Sequence, residues 1–282
     1  MKNLTKIAVF FCAIYLLASN NLFAVDFRID QGRVRVTLPP GWSDGGVITV
    51  ENRGKEPIAI RVYSGDWVYS DQDGSKNFMP ANTSPRSCAN WIKFYPADFT
   101  IPKEGKQKVN FVVAVPPDAV GGHYAVLFFE VSSGTTWDEK KGVMVHVYNR
   151  VGSLFHVEPD GTSKKEGRIS DFSIKTSKGN IEATAVFQNV GNVEITGRAT
   201  FDVIDEEGVV FARGEFKEFY TMPDDKAELY ARCPLDPKLH QIPQGKYDVV
   251  LTLDLDGMLL VKEYQIEVSD TGNITKVKET TQ

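Results

Sequence analysis

Residues that could carry catalytic chemistry are few and scattered. The four histidines are His123, His146, His156 and His240. None stands at the spacing of a metal site or of a nucleophile and its base from another histidine, a cysteine or an acidic cluster. The sequence also has no glycine-rich phosphate loop and no Gly-x-Ser-x-Gly turn. These patterns argue against an enzyme and predict neither a cofactor nor a metal ion.

One acidic stretch, "SDQDGSKN", resembles the start of a calcium loop at Asp71 and Asp73. The further acidic ligand and the distant glutamate of that motif are missing. Asp and Gly close together between strand-forming segments are typical of a tight turn. The stretch therefore predicts the tip of a β-hairpin.

The cysteines leave two interpretations open. Cys12 falls in the N-terminal apolar segment, so Cys88 and Cys233 are the two that remain in the mature chain. Outside the cytoplasm they could form a disulfide across the two halves of the chain, or stay as two unpaired thiols. Their spacing does not fit the Cys-x-x-Cys pattern of a redox enzyme or a zinc site.

The first 24 residues predict a secretory signal peptide. Lys2 and Lys6 precede an apolar core at residues 7–18, and Ala24 supplies a small residue before the expected cut. With these two lysines removed, the net charge of −5 becomes −7, which argues against a nucleic-acid partner. No later apolar run is long enough for a membrane helix. We expect an exported protein, periplasmic or extracellular, with no membrane span in the mature chain.

All the secondary-structure elements that could position a functional site are predicted to be strands. In "KVNFVVAVP" apolar residues alternate, whereas "HYAVLFFEV" has apolar residues on both sides of an extended chain and predicts a central strand covered on both faces. "DG" at 256–257 and "DEEG" at 205–208 stand between alternating runs and predict hairpin turns. No segment after the signal has a helical period, so the predicted fold class is all-β.

A weak internal repeat predicts two copies of one architecture. Asn52 with Gly54 recurs as Asn189 with Gly191, where both residue types can turn a chain through positive φ. Gly-x-Tyr before an apolar strand occurs at residues 122–124 and again at 245–247, similar to the tyrosine corner of immunoglobulin-like sandwiches. We therefore expect two immunoglobulin-like β-sandwich domains in tandem.

Composition sets the expected domain limits. Apolar content falls and polar residues concentrate between the two copies and again at the C-terminus. The expected organisation is a signal peptide at 1–24, a first sandwich at 25–157, a polar linker at 158–168, a second sandwich at 169–269 and a frayed polar tail at 270–282.

The order of features in the first half resembles the N-terminal domain of periplasmic pilus-assembly chaperones, the PapD-like family. An apolar strand ends in Asn52, a phrase of Pro96, Phe99, Ile101 and Pro102 follows, and a Gly-x-Tyr strand comes next. "FQNVGNVEITGRATFDVID" also resembles the second extracellular domain of WxL-interacting surface proteins. Together the resemblances cover most of residues 30–270.

The chaperone resemblance implies a partner and a way of binding it. Such chaperones lend a strand to an incomplete secreted subunit, a form of β-strand addition. It implies that Arg33 is a cleft arginine that holds the subunit's terminal carboxylate. The family's lysine on the last strand of this domain is not matched, and His146 or Arg150 stands in that region.

By the same resemblance, the lending strand is the segment 143–148. Val143, Val145 and Val147 alternate along it and could fill a partner's groove, or could face the core of their own domain. Trp137, in the polar stretch "GTTWDEKKG", is an expected exposed contact. The expected function is non-enzymatic binding of a secreted or surface subunit; the alternative is a cell-surface module that binds a cell-wall component.

Overall fold

The structure is a computed structural model that describes residues 26–235 and 241–280. The predicted signal peptide and His240 lie outside the described residues. Within the described residues, strands account for every regular element except a short 3₁₀ turn at Ala89–Trp91. The all-β prediction is confirmed, and the strands form two tandem immunoglobulin-like β-sandwiches.

Ten strands of the described chain build the first sandwich. They are β1 Phe27–Ile29, β2 Arg33–Val36, β3 Ser43–Asn52, β4 Ile58–Tyr69, β5 Lys76–Pro80, β6 Ile92–Tyr95, β7 Asp98–Ile101, β8 Lys106–Ala114, β9 His123–Asp138 and β10 Val143–Val157. One sheet has the order β1-β3-β8-β6, and the other has the order β2-β10-β9-β4-β5 with β7 also paired to β4. Except for β2 against β10, the pairings within these two sheets are antiparallel.

Nine strands build the second sandwich in the part of the chain that the structure describes. They are β11 Gly167–Ser177, β12 Asn180–Asn189, β13 Ile195–Ile204, β14 Val210–Glu215, β15 Phe219–Thr221, β16 Lys226–Pro234, β17 Gly245–Leu255, β18 Met258–Val268 and β19 Ile274–Glu279. A three-stranded sheet, β11-β12-β16, packs against a sheet of order β14-β13-β17-β18-β19 with β15 also paired to β13.

Residues 124–129 of β9 lie in the middle of the sheet and are buried on both faces, as the sequence predicts. Ala125, Leu127 and Phe129 point into the core between the two sheets of the first sandwich. Tyr124 and Val126 point the other way, into a separate cluster that includes Met222 of the second sandwich. The continuous apolar sequence of β9 therefore reflects two different cores, one on each side of the strand.

Both predicted hairpin turns are present. Asp256 and Gly257 link β17 to β18 with φ of 59° and 95°, the left-handed conformation that a two-residue turn requires. Residues 205–208 link β13 to β14, and Gly208 has φ of 80°.

The repeated asparagines are structurally equivalent, but the sequence suggested the wrong reason for them. The side-chain amide of Asn52 donates to the carbonyls of Glu56 (2.8 Å) and Pro102 (3.0 Å), and that of Asn189 donates to the carbonyl of Val193 (2.9 Å). In each copy the glycine two residues later donates its N–H to the asparagine oxygen. Neither these asparagines nor these glycines have positive φ. Their shared task is to hydrogen-bond the backbone beside a strand end.

The two Gly-x-Tyr tyrosines differ. The hydroxyl of Tyr247 donates to the carbonyl of Pro243, four residues earlier, as in a tyrosine corner. The hydroxyl of Tyr124 instead accepts from the backbone N–H of Glu194 at 2.6 Å. Tyr124 therefore links the first sandwich to the second.

The expected frayed tail contains a strand. Residues Ile274–Glu279 pair along the edge of β18, and Ile274 packs against the core of the second sandwich. Ion pairs join Lys262 to Glu279 and Lys276 to Glu267. The sequence of this strand shows no apolar alternation, because an exposed edge strand is held by backbone pairing and by charges on the surface.

Candidate functional site

The hairpin of β9 and β10 extends beyond the sheet that carries it. Strand β4 pairs with β9 only as far as Val131, and β2 pairs with β10 only from Leu154 onward. The far end of the hairpin, up to the turn after Asp138, is therefore two strands with no third strand from the described residues beside them. A register shift that leaves Ser133 without a cross-strand partner marks the place where the hairpin leaves the sandwich.

Side chains of the three valines in this hairpin are exposed. The exposed fractions are 47% for Val143, 37% for Val145 and 38% for Val147, so they do not face the core of their own domain. Farther along β10, Phe155 and Val157 occupy the same side of the strand and are fully buried in that core. The row of valines is thus a continuation of a core-facing row past the end of the core.

The outer edge of β10 is open beside this row. From Val143 to Ser153 the strand pairs with β9 on one side and with no strand of the described chain on the other. Unpaired N–H and C=O groups on an apolar strand are a template for another extended chain. The arrangement can accept a strand that pairs with the backbone and covers the valines.

Trp137 and His146 lie on the opposite face of the same hairpin. Trp137 is directly opposite Met144 across the two strands, and both are more than half exposed. His146 is exposed and lies opposite Thr135. The structure therefore brings the predicted residues of the hairpin together but divides them between its two faces.

Arg33 lies elsewhere, at the base of β10. It is exposed and pairs with Leu154, eight positions along the strand from His146, which is roughly 26 Å in an extended chain. Arg150 is nearer, and its guanidinium lies over the rings of Phe128 and Phe78, 4.5 Å and 6.0 Å from their centroids. Arg33 and His146 are thus not parts of one anion site.

A buried polar cluster joins the two sandwiches. Nδ1 of His156 lies 2.7 Å from Oε2 of Glu194, and the hydroxyl of Tyr69 donates to the other carboxylate oxygen. His156 and Glu194 are 1% and 9% exposed. The ring of Trp67 packs on His156 with centroids 5.0 Å apart.

Electrostatics in this cluster favour the charged carboxylate. Burial raises the pKa of Glu194, but the hydrogen bonds from His156 and Tyr69 and the charges of His156 and Arg35 outweigh it, so the pKa lies below its ordinary value. Burial, together with the charge of Glu194, raises the pKa of Tyr69. Tyr69 therefore stays a hydrogen-bond donor at neutral pH.

Sequence reasoning did not find this cluster. Tyr69, His156 and Glu194 come from β4, β10 and the entrance to β13, and no short-range spacing connects them. The available signal was an ionisable residue inside an apolar strand end, since His156 lies between Phe155 and Val157.

The possible disulfide is not formed in the structure. Cys88 is buried in the core of the first sandwich and Cys233 in the core of the second, and both are free. Each thiol occupies the position of a small apolar side chain.

Asp71 and Asp73 lie at a hairpin tip, as predicted. The tip joins β4 to β5 and contacts the second sandwich, where the side chain of Gln72 bonds with the backbone of Glu228. Among residues 26–235 and 241–280, no group of three or more His, Cys, Asp or Glu side chains is arranged to hold a metal ion. The same residues include no helix long and apolar enough to cross a membrane.

Comparison with solved structures returns bacterial fimbrial chaperones. The class 5 fimbriae chaperone CfaA is 14% identical, with 84% of this chain and 98% of that chain covered and a TM-score of 0.45. The chaperone DraB of E. coli is 13% identical, with 92% and 99% covered and a TM-score of 0.37. The pre-assembly complex of CsuC with CsuE from Acinetobacter baumannii matches at 10% identity, with 84% and 97% covered and a TM-score of 0.41.

No protein-family model and no curated protein sequence matches the chain. At these identities the likeness to fimbrial chaperones concerns the fold alone.

Proposed function

We propose that this protein is an exported, non-enzymatic chaperone-like protein that binds a secreted or surface subunit by adding β10 to the subunit's sheet. In this proposal residues 25–157 form the strand-lending domain, 158–168 the linker and 169–269 the second domain. The signal peptide predicted at 1–24 supports export. The solved structures of similar fold include a chaperone in complex with a tip subunit, which is consistent with a protein partner.

One observation carries the proposal. An alternating row of exposed valines lies on a strand whose outer edge is open, and the row continues the core of the first sandwich. A subunit that lacks one strand of its own sandwich would gain backbone hydrogen bonds from the open edge and apolar filling from the valines. Full burial of a valine is worth about 1.5–3 kcal/mol, and these valines already bury half or more of their surface.

The test replaces Val145 and Val147 with serine in the tagged mature protein. Captured proteins are identified by mass spectrometry from the extracytoplasmic fraction, and the affinity of the captured partner is measured for both forms. We expect a stoichiometric β-rich subunit that is released only by denaturant, bound about tenfold or more weakly by the double variant. The free energy of unfolding should change by less than about 1 kcal/mol, because neither valine packs in the core.

The matched control is M144S/Y148S, which removes two exposed apolar side chains from the opposite face of the same strand. Equal loss of binding in both double variants would mean that the valine row is not the binding face. Intact binding in V145S/V147S together with a drop in stability would contradict strand addition. Recovery of wall polymer in place of a protein would favour the surface-module alternative.

A further inference from the structure

Asn149 interrupts the valine row. It follows Val147 on the same side of β10 and precedes Val151, which packs partly against the core. Asparagine is depleted in strands, and every other residue from 143 to 151 on this side is valine. A polar residue at this place therefore breaks both the local propensity and the apolar pattern.

No partner within the described chain satisfies the amide of Asn149. The residue is exposed and lies opposite Val131, whose side chain is buried. The side-chain hydrogen bonds found in residues 26–235 and 241–280 do not include Asn149, in contrast to the fully bonded Asn52 and Asn189. Solvent satisfies the amide only while this face stays uncovered.

A strand that covers the valine row also covers this amide. An amide buried without a partner costs about 1–3 kcal/mol, whereas a matched polar side chain removes that cost. Sliding such a matched strand by two residues would place an apolar side chain opposite Asn149 and the polar side chain opposite a valine. A single polar residue in an apolar row can thus fix the register of two elements.

We infer that Asn149 determines register and selectivity, and that the strand accepted by β10 carries a hydrogen-bonding side chain directly opposite it. This inference rests on the proposed function and narrows the class of subunit that the open edge accepts. Such a subunit presents apolar side chains beside the three valines and an amide or hydroxyl beside Asn149. Any register that places an apolar side chain opposite Asn149 is disfavoured.

Two synthetic peptides test the inference without a known partner. The first is Val-Thr-Val-Thr-Asn-Thr-Val-Thr-Val and the second has Val in place of Asn, each with two lysines at both ends and a fluorophore. Because both sequences are palindromic, the central residue meets Asn149 in either strand direction. Binding to the mature protein and to Asn149→Val is measured by fluorescence anisotropy.

We expect the wild-type protein to bind the Asn peptide about tenfold more tightly than the Val peptide, and N149V to reverse the preference. N149Q, which keeps an amide, should retain the wild-type preference. Equal binding of both peptides, or tighter binding of the Val peptide by the wild type, would overturn the role of Asn149. If Asn149 only protected the open edge of β10 against pairing, it would weaken the binding of both peptides equally.

Failure of the proposed function has a different signature. If V145S/V147S binds both peptides as well as the wild type does, or if no form binds either peptide, β10 is not a strand-accepting edge. In that case the inference falls together with the function. If the valine variant loses both peptides while the wild type shows no preference, the function stands and the inference alone is wrong.

Discussion

Nδ1 of His156 lies 2.7 Å from Oε2 of Glu194. This pair connects the end of β10 in the first sandwich to the start of β13 in the second. His156 stands at the end of β10, the strand whose other end carries the valine row. The strand that offers the open edge is therefore anchored, at its base, to the neighbouring domain.

Removing the carboxylate should destabilise the protein strongly. In Glu194→Ala the imidazole of His156 and the hydroxyl of Tyr69 lose their partner in a buried site, which costs about 3–5 kcal/mol for a broken buried pair. Urea unfolding measures the change, and Trp67 fluorescence reports on the site because that ring packs on His156. The control is Glu206→Ala, a change at an exposed turn. Similar unfolding curves for the two variants would show that the pair does not stabilise the interface.

The same pair predicts a dependence of stability on pH. Because the pKa of Glu194 is lowered in the folded protein, its contribution is complete above the ordinary glutamate pKa of about 4.3 and is lost as the pH falls through the folded value. The groups that face it are His156, Tyr69, Tyr124 and Arg35.

The comparison is between the wild type and H156Q/E194Q, in which neither side chain of the pair titrates. Free energies of unfolding are measured at pH 5 and pH 3. We expect the wild type to lose stability relative to the double variant between these two values. A constant difference would mean that the carboxylate has the same pKa in the folded and unfolded chains.

The strands could be predicted from the sequence, because the pattern that identifies each one lies within a few consecutive residues. Alternation identifies β8, continuous apolar sequence identifies β9, and Asp256 with Gly257 identifies a turn through positive φ. The interface was not predictable in this way. Glu194 is one acid among 37 Asp and Glu residues, and only the packed structure places it against β10.

The exposure of the valines also required the structure. Alternating valines have the same sequence whether they line a core or extend past it. The difference is that β4 stops pairing at Val131 and β2 starts pairing at Leu154, and both limits are set by distant residues.

The two repeated asparagines, Asn52 and Asn189, should contribute similarly to the free energy of unfolding. In Asn52→Ala the buried carbonyl of Ile101 loses a donor, as do the part-buried carbonyls of Glu56 and Pro102. In Asn189→Ala the buried carbonyls of Val193 and Thr221 lose theirs. Each variant should lose about 1–3 kcal/mol, because a buried carbonyl that loses its donor costs about that much. Asn110→Ala, at an exposed position of β8, is the control and should change stability by less than about 0.5 kcal/mol. Chemical denaturation that ranks all three variants together would contradict the role assigned to the repeat.

Asn192 should determine how firmly the polar segment between the sandwiches is held. Its carbonyl accepts from Gly122 N–H at 2.8 Å, its side-chain oxygen accepts from Lys164 N–H at 2.6 Å and its amide donates to the Thr162 carbonyl at 2.9 Å. Asn192→Ala removes the two side-chain bonds and leaves both cores intact. We expect faster hydrogen exchange at Lys164, whose N–H loses its acceptor, with unchanged exchange inside β9 and β17. If exchange in that segment is already fast in the wild type, the segment acts as a free hinge and these contacts do not fix the angle between the sandwiches.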